Sequence, residues 1–222
     1  TSLQKWGKSV RTTIPVMAGY LVLGVGFGIL LRTRGYGLGW ALAMSAFIYA
    51  GSMQYVAIDL LTGGASLLTT AVTTLLVNAR HLFYGISMLE RYRAAGKYAP
   101  YLIFSLTDET YSLVAAREDL TGAECFRISL LDQLYWVLGT ALGSLAGAYL
   151  DFNTTGIDFS LTALFLTVFT EQWLETKDHA PALIGLGISI VCRLLFGADS
   201  FLLPTMGGML CCLLVLDARR TK

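Results

Sequence analysis

The chain has 222 residues, of which 55% are hydrophobic and 14% are charged, and its formal net charge is +1. Soluble domains carry about 25% charged residues, so this composition argues against an ordinary soluble protein. The small net charge does not favour nucleic-acid binding, and the sequence has no G-x-x-x-x-G-K-[ST] phosphate loop that would indicate ATP-driven work.

Apolar segments follow one another along the chain and leave little room for a soluble domain. A helix needs about 20 apolar residues to cross a bilayer. Segments of suitable character are 14–31, 38–61, 126–150, 159–175, 180–197 and 201–216. We therefore predict an all-α, polytopic transmembrane helical bundle of about seven spans, some broken or re-entrant, in a single membrane domain of residues 1–222.

Small residues concentrate in the first two segments. In segment 14–31, Gly24 and Gly28 are spaced for close helix packing, but the same glycines would also permit unwinding that offers backbone N–H groups to an anionic substrate. In segment 38–61, Gly51 and Ser52 precede Gln54, whose amide can recognise a polar ligand. All five are candidate residues of a substrate pathway.

A polar cluster then interrupts the apolar stretch 73–87. Asn78 and His81 lie about 60° apart on a helix, whereas Arg80 lies about 160° from Asn78. A continuous helix cannot direct both toward one cavity. Either the helix breaks there, with Asn78 and Arg80 on the pathway, or Arg80 pairs with an acid on another segment, and Asp108 and Glu109 are the obvious acids.

Segment 101–116 is short and carries Asp108 and Glu109 in its middle, so we expect it to be re-entrant or broken. Together with His81, these acids are candidates for ion coupling or for an ion pair. Three other acids stand near predicted span ends, where we expect interfacial anchors: Asp59, Asp132 and Glu171.

Basic residues at both termini predict that both termini are cytoplasmic, and the acidic loop 151–158 is expected outside. Two basic clusters fit less well, because simple counting places them outside: Arg32 with Arg34, and Arg91 with Arg93 and Lys97. Either the charge rule is loosely obeyed, or one segment does not cross fully.

A weak internal echo suggests two structural repeats. Stretches 21–28, 46–55 and 81–85 resemble 136–143, 164–173 and 193–197 in the same order. The predicted halves are 12–90 and 126–216, joined through the polar-containing segment 101–116. Chance similarity between glycine- and leucine-rich helices is the alternative.

Four stretches together resemble the AzlC family, the larger subunit of two-component bacterial branched-chain amino acid exporters. They are IPVMAGYLVLGVGFG (14–28), AFIYAGSMQYVA (46–57), LLVNARHLFYG (75–85) and LTDETYSL (106–113). The resemblance implies export of valine, leucine, isoleucine and sometimes methionine across the inner (plasma) membrane, with a small AzlD-type membrane subunit as partner. It supplies no established binding residues.

Two other classes of function remain open. A channel, or a scaffold subunit of a transport complex, is the first alternative. A membrane-embedded enzyme is the second, although the sequence has only two histidines and no H-E-x-x-H motif. The cysteines form no C-x-x-C pair, and neither a metal nor another cofactor is expected.

Overall fold

The computed structural model describes residues 2–115, 117, 119–149, 159, 162–163, 166, 169–170, 173–174 and 177–220. Within these ranges the regular secondary structure is helical, which confirms the all-α class. The chain divides into two compact units, Thr1–Leu161 and Thr162–Lys222. Each unit is described by itself.

The helices of the first unit are α1 (Ser2–Thr33), α2 (Leu38–Phe47), α3 (Gly51–Thr62), α4 (Leu67–Val77), α5 (Arg80–Ala94), α6 (Ala99–Phe104), α7 (Asp108–Ala115) and α8 (Gly122–Tyr149), with a 3-10 turn at Gly96–Tyr98. The second unit contains α9 (Ala180–Ser200) and α10 (Leu202–Arg220). Among the described residues, Gln4–Thr33 and Ala180–Gly197 are both long and apolar enough to cross a membrane.

Helices α1 and α8 are in backbone contact through glycines. A Cβ atom added at Gly28 would lie 2.2 Å from the Thr140 carbonyl oxygen, and one at Gly143 would lie 2.1 Å from that of Val25. Gly24 likewise faces the backbone of Gly139 and Thr140. The close-packing interpretation is therefore confirmed, and unwinding near Gly24 and Gly28 is wrong, because α1 is helical throughout.

The contacts show that α1 and α8 run parallel. Near the start of both helices, the Lys8 ammonium lies 3.8 Å from the Glu124 carboxylate. Toward their ends, Gly147 faces Ile29 and Arg32. Because α1 and α8 run in the same direction, the intervening chain must pass from one end of the pair to the other an odd number of times.

Helices α2 and α3 form a hairpin on the C-terminal halves of α1 and α8. The turn before α2 starts at the end of α1, where the Tyr36 N–H donates to the Leu31 carbonyl. The chain reverses at Tyr49, which has a φ of 43°. Helix α3 then returns along α1, with the Tyr55 hydroxyl donating to the Leu23 carbonyl and its ring 5.6 Å from Phe27.

Helices α6 and α7 form a second hairpin, which enters from the opposite end. The Tyr101 ring packs on Phe126, near the start of α8. The turn at 105–107 reaches the middle of α1, where Thr107 contacts Tyr20, and Arg117 returns to Thr12. The expectation of a broken or re-entrant segment at 101–116 is confirmed.

Helices α4 and α5 form one kinked connection between the two ends. The kink lies at Asn78, whose ψ of 5° ends α4. From there α5 runs beside α7: Tyr84 stacks on Tyr111, with ring centroids 4.5 Å apart, and Arg91 donates to the Val114 carbonyl.

This topology resolves the conflict for one of the two basic clusters, whereas the cluster at the end of α1 stays at the end opposite the N-terminus. Segment 38–61 turns back, as segment 101–116 does, so α4 and α5 are the helices that pass from one end of the α1–α8 pair to the other. The end of α5 therefore lies where α1 and α8 begin. There, a Cβ atom at Gly122 would lie 2.7 Å from that of Ala95. The basic cluster of Arg91, Arg93 and Lys97 therefore shares an end with the basic N-terminus, as the charge rule requires.

Asp132 corrects the expectation for the span-end acids. Its side chain is 0% exposed, beneath α7, and is no interfacial anchor. The sequence position near a span end was misleading because the returning hairpin covers that part of α8. Asp59 is exposed, and Glu171 lies outside the described residues.

The contact between α1 and α8 joins two stretches of the internal echo, 21–28 and 136–143. The repeat itself stays a prediction, because its partner block 164–173 lies largely outside the described residues.

Replacing glycine in the α1–α8 contact should destabilise the protein. Gly28→Ala places a methyl group against backbone atoms that cannot rotate away, so we expect the free energy of unfolding to fall by about 1–3 kcal/mol. Gly19→Ala in the same helix is the control, because its Cβ atom meets nothing within 4 Å. Thermal unfolding in detergent should lower Tm for the first variant only; equal Tm values would contradict the contact.

The two hairpins predict the sidedness of single cysteines introduced into a background without native cysteines. Lys97→Cys should react with a membrane-impermeant maleimide from the same side as Lys8→Cys, and Arg34→Cys from the other side. Intact and permeabilised cells distinguish the sides. Labelling of Lys97→Cys and Arg34→Cys from one side would show that segment 38–61 crosses fully.

Candidate functional site

Three helices of the first unit begin at mid-depth, and their first turns meet there. The Arg80 guanidinium, at the start of α5, lies 2.7 Å from the Asp108 carboxylate at the start of α7. The same guanidinium donates to the Ser52 hydroxyl at 2.9 Å, in the first turn of α3. We call Ser52, Arg80 and Asp108 the Arg80 cluster.

Both alternatives for Arg80 occur together. The helix is interrupted between Val77 and Arg80, and Arg80 pairs with an acid on another segment. Asn78 takes part in the interruption: its carbonyl oxygen accepts the His81 N–H at 2.9 Å and lies 3.2 Å from the His81 Nδ1. The sequence identified Asn78, Arg80 and His81 as candidates, and the kink between α4 and α5 determines their arrangement.

The positive charge of the Arg80 cluster comes from the Arg80 guanidinium and from the helix N-termini, and its negative charge comes from Asp108. Helix N-termini carry a partial positive charge from N–H groups without helical acceptors. In α3 the first helical bond is from Gln54 N–H to Ala50 O, and Ala50 provides no side-chain cap. The N–H groups of Gly51 and Ser52 precede that bond in the first turn of α3.

The ion pair retains unused hydrogen-bonding capacity. Arg80 Nε and Asp108 Oδ1 are buried and have no hydrogen-bond partner among the described residues. The two side chains are 33% and 30% exposed through their other atoms, so solvent reaches the ion pair although these two atoms are covered. A donor and an acceptor of opposite charge lie side by side, which is the arrangement that a zwitterion requires.

Aromatic rings lie next to the Arg80 cluster. Tyr84, on α5, interacts electrostatically with Asp108 and Arg80 and stacks on Tyr111 of α7. Phe47 and Phe83, which stand close to Gly51 and Arg80 in the sequence, are instead 81% and 61% exposed. The tyrosine pair was missed because its position depends on α5 and α7 running in parallel.

The neighbouring acids Asp108 and Glu109 have different partners. Asp108 is held by Arg80, whereas Glu109 accepts a hydrogen bond from the Tyr20 hydroxyl at 2.8 Å. Consecutive helical residues point in different directions, since each adds about 100° of rotation. Of the two carboxyl groups, only Glu109 is therefore outside the Arg80 ion pair.

Gln54 lies in a separate buried network. The Trp136 indole donates to its Oε1 at 2.9 Å, and its Nε2 donates to Ser45 at 3.1 Å. Ser45 in turn donates to Thr140 at 2.9 Å. Both amide atoms are thus engaged in holding the α2–α3 break against α8.

The candidate glycines also contact neighbouring helices. A Cβ atom at Gly51 would lie 3.2 Å from the Trp136 ring, and Gly24 and Gly28 lie in the α1–α8 contact. The structure brings Ser52, Arg80 and Asp108 together and places these glycines at packing contacts around them.

The second unit contains a cavity of its own. Its volume is about 530 Å³, and its lining includes the Trp173 and His179 rings, which stack 4.0 Å apart. The remaining lining residues are Phe169, Asp178, Pro181, Ala182, Gly185, Leu186, Ser189 and Met209. The lining is predominantly apolar.

Comparison with known proteins gives a consistent result. The model of the AzlC protein family matches residues 15–150. The Bacillus subtilis "Branched-chain amino acid transport protein AzlC" is 46% identical over 209 residues, covering 92% of this chain and 82% of that protein. A Helicobacter pylori "Uncharacterized membrane protein" is 43% identical over 207 residues, 91% of each chain.

A more distant relative is the Escherichia coli "Inner membrane protein YgaZ", 26% identical over 222 residues, covering 93% of this chain and 87% of that protein. No solved structure gives a significant match. The family match and the close relatives extend over the helices that carry the Arg80 cluster, and they show that this membrane protein belongs to the AzlC family.

Proposed function

We propose that this chain is a secondary transporter that exports branched-chain amino acids (valine, leucine, isoleucine and also methionine) from the bacterial cytoplasm, together with a small AzlD-type subunit. An ion gradient supplies the energy. The printed name of the Bacillus subtilis relative supports the substrate class. The observation that carries the proposal is the partly exposed Arg80–Asp108 pair at the meeting point of interrupted helices.

In this proposal the zwitterionic substrate binds between Arg80 and Asp108 and replaces their direct contact. Its carboxylate binds the Arg80 guanidinium and the N-terminal turn of α3 near Ser52. Its ammonium group binds Asp108, whose Oδ1 has no hydrogen-bond partner among the described residues. Without substrate, Arg80 and Asp108 neutralise each other. When the substrate binds, each of them pairs with the opposite charge of the substrate, so no unpaired charge is left within the membrane.

The aliphatic side chain of the substrate would contact the tyrosine pair. Tyr84 and Tyr111 present their ring surfaces beside Asp108. A ring surface without a dedicated hydrogen-bond pattern can accept valine, leucine, isoleucine and methionine with graded affinities, because an added methylene group changes binding by about 1–3 kcal/mol. This agrees with a class of substrates.

Two hairpins that enter from opposite ends suit alternating access. The α2–α3 hairpin supplies Ser52 and the α6–α7 hairpin supplies Asp108, so Arg80 contacts both tips at once. Movement of either hairpin away from Arg80 would open the site toward one end only. Transporters commonly hold substrate near the midplane between discontinuous helices in this way.

One prediction of the proposed function concerns substrate exchange. In proteoliposomes with the chain and its small partner, labelled valine should exchange saturably against internal valine. Arg80→Ala should lower the exchange rate at least about tenfold through loss of the charged carboxylate contact. Arg34→Ala, an exposed arginine outside the cluster, should exchange like the wild type.

Exchange by Arg80→Ala at the wild-type rate would refute the proposed site. Saturable exchange of another class of amino acid, but not valine, would retain the carrier and change its substrate. No exchange by folded wild type, with or without the partner, would favour the scaffold alternative.

A charge-reversal variant distinguishes substrate binding by Arg80 and Asp108 from a purely structural role of their ion pair. If Arg80 and Asp108 only hold α5 against α7, the double variant Arg80→Asp with Asp108→Arg should keep both stability and exchange. If they bind a zwitterion, the reversed pair can keep Tm near that of the wild type, but exchange should fall at least about tenfold because the substrate charges face the wrong partners. Tm and valine counterflow measured on the same preparation decide between them.

A further inference from the structure

A second buried acid lies below the Arg80 cluster and is not used by it. The Asp132 side chain is 0% exposed, on α8. Among the described residues it has no cationic partner; Thr110 donates to its Oδ2 at 2.8 Å, and its Oδ1 has no hydrogen-bond partner. A buried carboxylate without a cation is unfavourable in a membrane unless it can bind a proton or another cation.

A continuous row of hydroxyl groups joins Asp132 to Glu109. From Asp132 it passes to Thr110, then to Thr107 at 3.1 Å, then to Tyr20 at 2.7 Å. The Tyr20 hydroxyl lies 2.8 Å from Glu109 Oε2. Each of the four steps is within hydrogen-bond distance, and the three intermediate groups can each donate one proton and accept another.

We propose that Glu109 and Asp132 share one proton through Tyr20, Thr107 and Thr110, and that this proton is the ion coupled to transport. The inference rests on the proposed function, since it names the driving ion of the same site. Two carboxyl groups linked in this way favour a state with one proton between them, because both charges together would repel at low dielectric.

The transfer conserves protons at every step. With the proton on Glu109, Glu109 donates to Tyr20, Tyr20 to Thr107, Thr107 to Thr110, and Thr110 to the Asp132 carboxylate. If each group passes its proton forward, one O–H bond breaks and one forms at each hydroxyl. Asp132 becomes the acid, Glu109 becomes the carboxylate, and all donor directions reverse.

The position of the row links it to the substrate site. Glu109 is half-buried and adjoins Asp108, so it can exchange protons with water that reaches the Arg80 cluster, whereas Asp132 holds the proton out of contact with water. Thr107 and Thr110 belong to the α6–α7 hairpin, while Tyr20 and Asp132 belong to α1 and α8. A movement of the hairpin therefore breaks the row and fixes the proton on one side.

Other titratable and charged groups face this pair from the surrounding helices. Asp132 interacts electrostatically with Glu109, with Tyr49 at the α2–α3 break and with Tyr101 of α6. Glu109 also interacts with Asp108 and Arg80. Tyr49 also lies close to Tyr20, so it adjoins two members of the row.

The test uses the chain with its partner in proteoliposomes and measures two quantities separately. Valine counterflow reports substrate exchange, and a pH-sensitive dye reports protons moved per valine during net transport. We expect Asp132→Asn and Thr110→Val to lower the proton flux per valine at least about tenfold, with counterflow within about twofold of the wild type. Thr110→Ser should restore the proton flux because it restores the hydroxyl group.

Ser129→Ala is the matched control, because Ser129 is buried on α8 one turn from Asp132 and lies outside the row; its proton flux should equal that of the wild type. A wild-type infrared band of a protonated carboxylic acid that Asp132→Asn removes would support the proposal without any transport. Unchanged proton flux in both Asp132→Asn and Thr110→Val would overturn it. Net transport driven by sodium and indifferent to pH would also overturn it, whereas absence of counterflow in the wild type would instead refute the proposed function.

Discussion

The backbone contact between α1 and α8 is the constraint on which the other elements depend. In a bilayer, helices gain little from burying apolar side chains, so they associate through close packing of small residues. Gly28 and Gly143 allow this approach and lie face to face with backbone atoms. The resulting parallel pair forms a rigid surface. The α2–α3 hairpin packs on its C-terminal half, and the α6–α7 hairpin enters from the opposite end.

The interrupted helices can exist only against such a surface. Each interruption leaves backbone groups without helical partners, and lipid offers none. At the α2–α3 break the Gln54 amide and the Trp136 indole form a buried network that holds the turn. At the α6–α7 break Thr107 caps α7 by accepting the Thr110 N–H at 3.3 Å. Polar residues outside the Arg80 cluster thus stabilise the breaks at which the cluster lies.

Some of this arrangement could be predicted from the sequence, for identifiable reasons. Asp108 and Glu109 in a short apolar segment predicted the α6–α7 interruption, and Arg80 required an acid on another segment. The α2–α3 hairpin was not predicted, because residues 38–61 have the length and apolarity of a full span and the reversal depends on the backbone of Tyr49. The burial of Asp132 was missed for a related reason, since it requires the hairpin that covers α8.

The two groups of charges differ in exposure, and that difference suits different tasks. Arg80 and Asp108 are about one-third exposed, so their mutual attraction is moderated by solvent, and the charges of a zwitterion can compete for both partners. A fully buried ion pair would resist exchange, because separating it leaves two desolvated charges. Asp132 is fully buried and accepts a hydrogen bond from the Thr110 hydroxyl, which suits the proposed proton, since a proton neutralises the carboxylate without any need for water. In the proposed mechanism, one movement of the α6–α7 hairpin would both change the contact of Asp108 with Arg80 and break the hydroxyl row at Thr107 and Thr110.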